Sequence, residues 1–421
     1  MSAKKDINID SFQIPEGNFL KRLGYILAFI GPASIITSTA MGPGTATSVV
    51  TAGANYGYDL LWVVLLSGLI CGGVSYFGGK LTAVTGKNVF EFFREKIGIT
   101  FSNILFLVVL LTWYMIIFSQ GATLKQLNDI MFGQQFSPYL FTATLLTIGF
   151  IYTSGKNLAI KIASIMCSIM AVIFFINAIY VQPDLTAVAR GMVPKIPPLA
   201  QAAVIAGIIG GSGPGTSALW YSYGVKDAGW NKIAALKIIK WDQIIFASMF
   251  TIFSLGIFLS GAAVLNPAAI KVKSALDAAK AIEPLAGAFG KWVFLLGFWG
   301  AVFTTVGGMS MLATYPINGI FNVEGKLGQG TRRYFVWLGI ALAALSGLVP
   351  AVTKNALPLL VNFMGLLSVG GFVIIGLLTI YTSSEKYMGE YKNKWYQTLL
   401  CVIILLFNFY GAIQYVLRFI R

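Results

Sequence analysis

A four-residue word, Gly-Pro-Gly-Thr, occurs twice in the chain, as Gly42-Pro43-Gly44-Thr45 and as Gly213-Pro214-Gly215-Thr216. Each copy divides an apolar run into two halves. Proline removes a backbone donor and glycine weakens a helix, so each run is expected to unwind at the word. An unwound point leaves N–H groups at the start of the second half-helix and carbonyls at the end of the first. A half-helix N-terminus carries roughly half a positive charge and favours anions. The two threonines add hydroxyls, and glycine lets a ligand come close to the backbone. The chemistry on offer is ion binding by backbone and hydroxyl groups.

Other chemistries are short of parts. The chain has no histidine, so no imidazole can ligate a metal or relay a proton. Cys71, Cys167 and Cys401 stand in apolar runs without a CxxC spacing and read as small buried hydrophobes. No serine or cysteine is paired with a base and no acid is central to an apolar run, which argues against an enzyme.

The elements that must carry the two words are membrane spans. Of 421 residues, 57% are hydrophobic and only 11% charged, against about 25% charged in soluble domains; mean hydropathy is +0.78. Eleven runs are long enough to cross roughly 30 Å of hydrocarbon as helices. They lie near 23–55, 59–85, 100–125, 138–154, 157–181, 199–224, 239–265, 286–317, 335–353, 356–382 and 396–419. The words therefore fall in spans one and six. Interrupted spans at matching positions of two five-span halves point to an inverted-repeat secondary transporter with its site at the breaks.

The expected organisation is a tail at 1–22, a core at 23–382 and a loop with an eleventh span at 383–421. The core divides into repeats at about 23–181 and 199–382. Segments 1–22, 80–96, 156–161, 226–240, 326–333 and 386–394 hold 20 of the 30 lysines and arginines, leaving 10. That bias predicts a cytoplasmic N-terminus and an external C-terminus in a multi-pass protein of a prokaryotic plasma (inner) membrane. The net charge of +15 is then a topology and lipid signal, with no nucleic-acid partner. The first twenty residues show no cleavable signal pattern.

At these residues the chain resembles the Nramp (natural resistance-associated macrophage protein) family of metal transporters, whose fold is of the LeuT type. The likeness runs through Gly31-Pro32-Ala33, Ala52-Gly53-Ala54-Asn55-Tyr56-Gly57-Tyr58 and Leu60-Leu61-Trp62. It continues in Val84-Thr85-Gly86-Lys87, in Gly307-Gly308-Met309-Ser310 with Thr314-Tyr315, and in Tyr387-Met388-Gly389-Glu390-Tyr391-Lys392-Asn393. The resemblance implies an all-α membrane protein of about eleven helices, with a 5+5 inverted repeat, broken helices 1 and 6 and one extra C-terminal helix. The family's functional residues are not carried over. Where the family has Asp-Pro-Gly-Asn in span one, Gly42 and Thr45 replace the Asp and Asn. Where span six has Met-Pro-His, Gly213 and Gly215 replace the Met and His. The proton-transfer acids of span three are matched by Ile117 and Gln120.

A divalent cation in the membrane calls for anionic oxygen ligands, and Asp59, Asp129, Asp242, Glu283 and Glu324 all read as lying at span ends or in loops. The expected substrate is a small inorganic anion at Gly42, Pro43, Gly44, Thr45, Gly213, Pro214, Gly215 and Thr216, with bicarbonate favoured over chloride. No basic residue stands mid-span to recruit sulfate or phosphate. Alternatives are a Mg²⁺ or Mn²⁺ transporter using carbonyls, an amino-acid or zwitterion transporter walled by Trp220, Tyr221 and Tyr223, and a non-transporting sensor. No cofactor, transition-metal site or obligate protein partner is expected. The resemblance to LeuT-type folds suggests Na⁺ as coupling ion at Thr304, Thr305 and Ser310, unless those hydroxyls bond back to their own helix. Asn177 and Asn362 read as interhelical hydrogen bonds.

Overall fold

The computed structural model describes residues 40–154, 169, 172–195, 198, 201–321 and 330–420. They form helices, with no strand among the described residues. The principal helices are α1 (Pro43–Tyr56), α2 (Leu61–Thr85), α3 (Ile99–Ser154), α4 (Ala202–Gly211) and α5 (Thr216–Asp227). There follow α6 (Leu236–Ser260), α7 (Glu283–Leu312), α8 (Arg332–Gly347), α9 (Ala356–Ser383) and α10 (Trp395–Ile420). The first half of the predicted span one, most of the predicted span 157–181, Cys167 and Glu324 lie outside the described residues.

Among the described residues, seven helical stretches are long and apolar enough to cross a membrane. Two of the eleven predicted runs, the first and the one at 157–181, lie partly or mostly outside the described residues, and two more fall in one helical stretch. The runs at 100–125 and 138–154 are two helices within the stretch labelled α3, divided by a break at Gly133, whose φ 75° and ψ 159° are not helical. The run at 335–353 becomes the 16-residue α8, which ends ahead of a separate helix at Pro350–Lys354.

Local sequence explains where the helices stop. Gly86 ends α2 in the left-handed conformation, with its N–H on the Thr82 carbonyl. The short helix Val89–Lys96 starts from a capping box in which Asn88 and Glu91 bond each other's backbone N–H. Such caps fix the turn that returns the chain towards α3.

Burying a leucine against another helix gains little in lipid, whose tails are equally apolar, so association relies on close packing and interhelical hydrogen bonds. α4 and α9 meet at Gly210, where an added Cβ would fall 1.6 Å from the Met364 carbonyl oxygen. Asn177 donates to Ser260 Oγ (3.1 Å) and to the Ala281 carbonyl (2.7 Å), the interhelical role its place in an apolar run suggests. α1 is wrapped by the rest, with everything from Pro43 to Val50 buried. The outer helices carry exposed Leu107, Leu111, Phe150, Ile380 and Leu406, the surface expected against lipid.

Asp242 is placed differently from the expectation. It is not at a span end but inside α6, buried, accepting from the Tyr221 hydroxyl at 2.8 Å. The helix begins at Leu236, earlier than the apolar run, because Lys237 and Lys240 are tolerated on its first turns.

Candidate functional site

The second break is fully described. α4 ends at Gly211, Gly213 (φ 69°) and Gly215 (φ 71°) take positive φ, and α5 starts at Thr216. Gly215, at ψ −45°, centres a tight three-residue turn in which the Thr216 N–H donates to the Pro214 carbonyl at 2.8 Å. This positive-φ γ-turn is rare and strained for any residue with a Cβ. The Ser217 N–H donates to the Gly213 carbonyl, also at 2.8 Å. Two N–H groups of the α5 N-terminus are therefore used by the turn itself, and what this break offers a ligand is mainly side-chain chemistry.

The first break is built otherwise. Gly42 is extended (φ −94°, ψ −178°), Pro43 is the first helical residue of α1, and the Gly42 carbonyl accepts from the Ala46 N–H at 3.1 Å. Thr45 is already inside the helix. Its hydroxyl lies 2.6 Å from the Ala40 carbonyl and 3.0 Å from the Gly211 carbonyl, as a donor shared between them. Thr45 thus links the two breaks through the carbonyl ends of their first halves, and it faces protein, not a ligand.

Between the breaks lies a cavity of about 20 Å³, room for one water-sized species. Of the eight residues singled out in the sequence, Gly213 and Thr216 line it; Gly42, Pro43, Gly44, Thr45, Pro214 and Gly215 do not. Gly44 and Gly215 serve as close-approach points. An added Cβ at Gly44 would meet Met364 Cε at 2.1 Å, and one at Gly215 would meet the Gly371 carbonyl at 2.8 Å.

Three hydrogen-bonding groups on one face of α5 line the cavity and have no partner: Thr216 Oγ1, Ser217 Oγ and Trp220 Nε1. All three residues are buried. Unpartnered buried polar groups are costly, so three at one small cavity leave donors and acceptors that a water or a small ligand there would complete. Opposite stand Trp113, Met309 and Met364. Trp113 packs on Trp220 with ring centroids 4.9 Å apart and gives its own N–H to the Met309 carbonyl at 2.9 Å. Among the described residues, no carboxylate and no basic side chain lines the cavity. Among the described residues no group of three or more Cys, Asp or Glu side chains is placed to hold a metal.

Sequence reasoning missed Ser217, Trp113, Met309 and Met364. Ser217 had a signal, since 213, 216, 217 and 220 share a helical face. The other three come from spans three, eight and ten, whose approach no local pattern reports. The expected aromatic wall reduces to Trp220. Tyr221 is turned to Asp242, and Tyr223 stacks on Tyr315 at 4.4 Å.

Of the candidate sodium hydroxyls, the Ser310 Oγ is buried without a partner. Thr304 bonds back to the Gly300 and Ala301 carbonyls at 3.1 and 3.0 Å, Thr305 is buried, and Ser310 faces Gly339 of α8. Ile117 and Gln120 are fully buried in α3, and neither polar atom of the Gln120 amide has a partner.

Solved structures share this architecture. One of the manganese transporter of Eremococcus coleocola, in complex with an aromatic bis-isothiourea substituted compound, superposes with a TM-score of 0.74 at 16% identity. The match covers 97% of this chain and 89% of that one. A mutant of the same transporter gives 0.72 over the same shares, again at 16% identity. A nucleobase-cation-symport-1 family transporter, closed around bromovinylhydantoin, gives 0.50 at 16% identity, over 92% of this chain and 90% of that one. These likenesses establish the LeuT-type fold. The sequence profile described as natural resistance-associated macrophage protein-like matches residues 33–417, and with nearly the whole chain matched, the protein belongs to the Nramp family.

Proposed function

We propose that this Nramp-family transporter, an integral multi-pass membrane protein and not an enzyme, carries a small inorganic anion, with bicarbonate the first candidate. One observation carries the reading: Thr216 Oγ1, Ser217 Oγ and Trp220 Nε1 converge unpartnered on a cavity that no carboxylate among the described residues lines. Indole N–H can only donate, and hydroxyls donate readily to an anion. A divalent cation there would meet one N–H and two hydroxyls in place of carboxylates, and its desolvation would go largely uncompensated. The carbonyls of Ala40 and Gly211, the natural cation ligands at the breaks, share the one Thr45 hydroxyl proton and are turned towards it. Bicarbonate suits the site because it both accepts from N–H and donates to a hydroxyl. An amino acid would need far more room than one water-sized space; bicarbonate needs a modest widening as the helices part.

The deciding experiment uses proteoliposomes. An inward bicarbonate gradient is expected to shift internal pH in loaded vesicles, with Mn²⁺ neither transported nor competing. Mn²⁺ uptake without a bicarbonate response would reverse the reading. A sodium gradient added as a separate arm tests coupling by Na⁺, and a rate indifferent to sodium removes that coupling while leaving the substrate untouched. On the proposed orientation, with the N-terminus cytoplasmic, α5 leads from the site towards the cytoplasm.

A second reading keeps a metal cation as substrate. It is favoured by the family, by the manganese transporter among the structural neighbours, and by the thioethers of Met309 and Met364 beside the cavity. Thioethers select soft ions such as Cu(I) over Mg²⁺ or Mn²⁺, so metal uptake lost in Met309→Leu/Met364→Leu would support it.

A further inference from the structure

Away from the breaks, α2 and α10 enclose a second, much larger space. It measures about 360 Å³ on the scale that gives the central cavity about 20 Å³. Its walls are Leu66, Ile403, Leu406 and Phe407, and Lys195, Trp62 and Tyr410 also line it. The groove belongs to the lipid-facing surface, for Ile403 and Leu406 are 45% and 61% exposed. From Ile403 to Tyr410 it follows two turns of α10, roughly 10 Å.

The groove is polar at one end only. Trp62 stands at the second position of α2 with its ring edge-on to Phe407, centroids 5.6 Å apart. It is only 8% exposed, and its indole N–H has no partner. Lys195 donates to Asp59 at 2.8 Å, which uses one of the three donors of an ammonium. Tyr410 adds its hydroxyl to the lining. Tryptophan, tyrosine and lysine around the mouth of an apolar slot are the residues that sit at headgroup depth. Among the described residues the remaining walls offer nothing polar, the environment of a hydrocarbon chain.

We infer that this groove holds one phospholipid with an anionic headgroup, its phosphate at Lys195 and the Trp62 N–H and an acyl chain along Leu66, Phe407, Leu406 and Ile403. The unpartnered indole separates this from ordinary lipid contact, because a methylene chain alone would leave that N–H unsatisfied at depth. A headgroup phosphate supplies the acceptor, and it can take the two ammonium donors of Lys195 that Asp59 leaves. The bound lipid would fasten α10 to α2, independently of which ion crosses the core.

Native mass spectrometry of the full chain tests this, after reconstitution in nanodiscs of equal phosphatidylglycerol and phosphatidylcholine and release into mild detergent. One phosphatidylglycerol per chain should persist, at least about fivefold over phosphatidylcholine. Leu406→Trp, at an exposed position that does not threaten folding, should fill the slot and remove the retained lipid. Trp62→Phe and Lys195→Ala should erase the headgroup preference. Equal retention of the two lipids, undiminished retention in Leu406→Trp, or an unchanged preference in both Trp62→Phe and Lys195→Ala would overturn the assignment.

Discussion

The two copies of Gly-Pro-Gly-Thr are identical in sequence and unlike in structure. In the first, helix α1 starts at the proline, and the threonine lies a turn inside, its hydroxyl spent on the carbonyls of Ala40 and Gly211. In the second, the helix waits until the threonine, both glycines have positive φ, and the hydroxyl of Thr216 is left to the cavity. What differs is the neighbour. Met364 presses a flexible thioether against Gly44, whereas Gly371 and Ile374 of α9 press backbone and Cβ atoms against Gly215. One word thus serves as a clasp in one half of the molecule and, on the proposed reading, as a binding edge in the other.

Gly215→Ala should show the contrast most strongly. Its Cβ would lie 2.8 Å from the Gly371 carbonyl and 2.9 Å from Ile374 Cβ, at φ 71° and ψ −45°. Backbone strain alone costs about 1–3 kcal/mol, and the contacts are with atoms that cannot swing away. Transport should fall by roughly a hundredfold or the fold should fail in thermal-shift assays. Gly213→Ala shares the positive φ but meets nothing closer than 3.4 Å, so only the strain should register. Equal effects at 213 and 215 would show that α9 does not shape the second break.

The threonines come next, with opposite signatures. Thr45→Val leaves the buried Ala40 and Gly211 carbonyls short of a donor, which should cost about 1–3 kcal/mol and lower the melting temperature. Thr216→Val removes a hydroxyl that has no partner in the protein, so stability should hold or rise while transport drops roughly tenfold. If the two variants behave alike, in stability or in transport, the division between clasp and binding edge is wrong.

Most of the architecture was legible because it follows from repetition. Apolar runs and proline-glycine interruptions give the helices and the breaks at spans one and six, and motifs such as Tyr387–Asn393 carry the family. What could not be read was orientation within the site. Thr45 and Thr216 occupy the same letter of the same word, and only the packing of α9 decides which faces protein. Met309, Met364 and Trp113 arrive from distant spans, and hydrophobic residues in hydrophobic runs give no hint of which one ends at a cavity. The acid at 242 was misplaced because the helix outruns its apolar stretch, a consequence of lysines tolerated at a span's first turns.

The two indoles at the cavity sharpen the comparison further. Trp113 spends its N–H on the Met309 carbonyl, whereas Trp220 keeps its N–H unpartnered. Trp220→Phe keeps most of the ring against Trp113 and deletes one donor. For the proposed anion substrate it should raise the KM by roughly five- to tenfold with little change in melting temperature. Trp113→Phe instead removes only the second donor of the Met309 carbonyl, which keeps its helical bond from the Ala313 N–H, and should show as a small loss of stability. Were Trp220→Phe to leave the KM unchanged, the donors of α5 would not be what the substrate meets.

The mildest change is Gly44→Ala, and it asks what the first break contributes once Thr45 is set aside. The new methyl would meet Met364 Cε at 2.1 Å, the far end of an unbranched side chain that can turn away. Gly44 is helical, so no strain is added, and the stability change should stay within about 1 kcal/mol. But Met364 also walls the cavity, so a displaced thioether narrows a space already sized for one small species. The expected result is a KM raised about threefold for bicarbonate, less for a smaller anion such as chloride, with turnover nearly unchanged. Pairing Gly44→Ala with Met364→Leu separates the causes: if the branched side chain makes the alanine far more costly, the first break acts on the site through Met364. If the two changes simply add, Gly44 matters only to helix packing, and all of the substrate's selectivity resides in the second break.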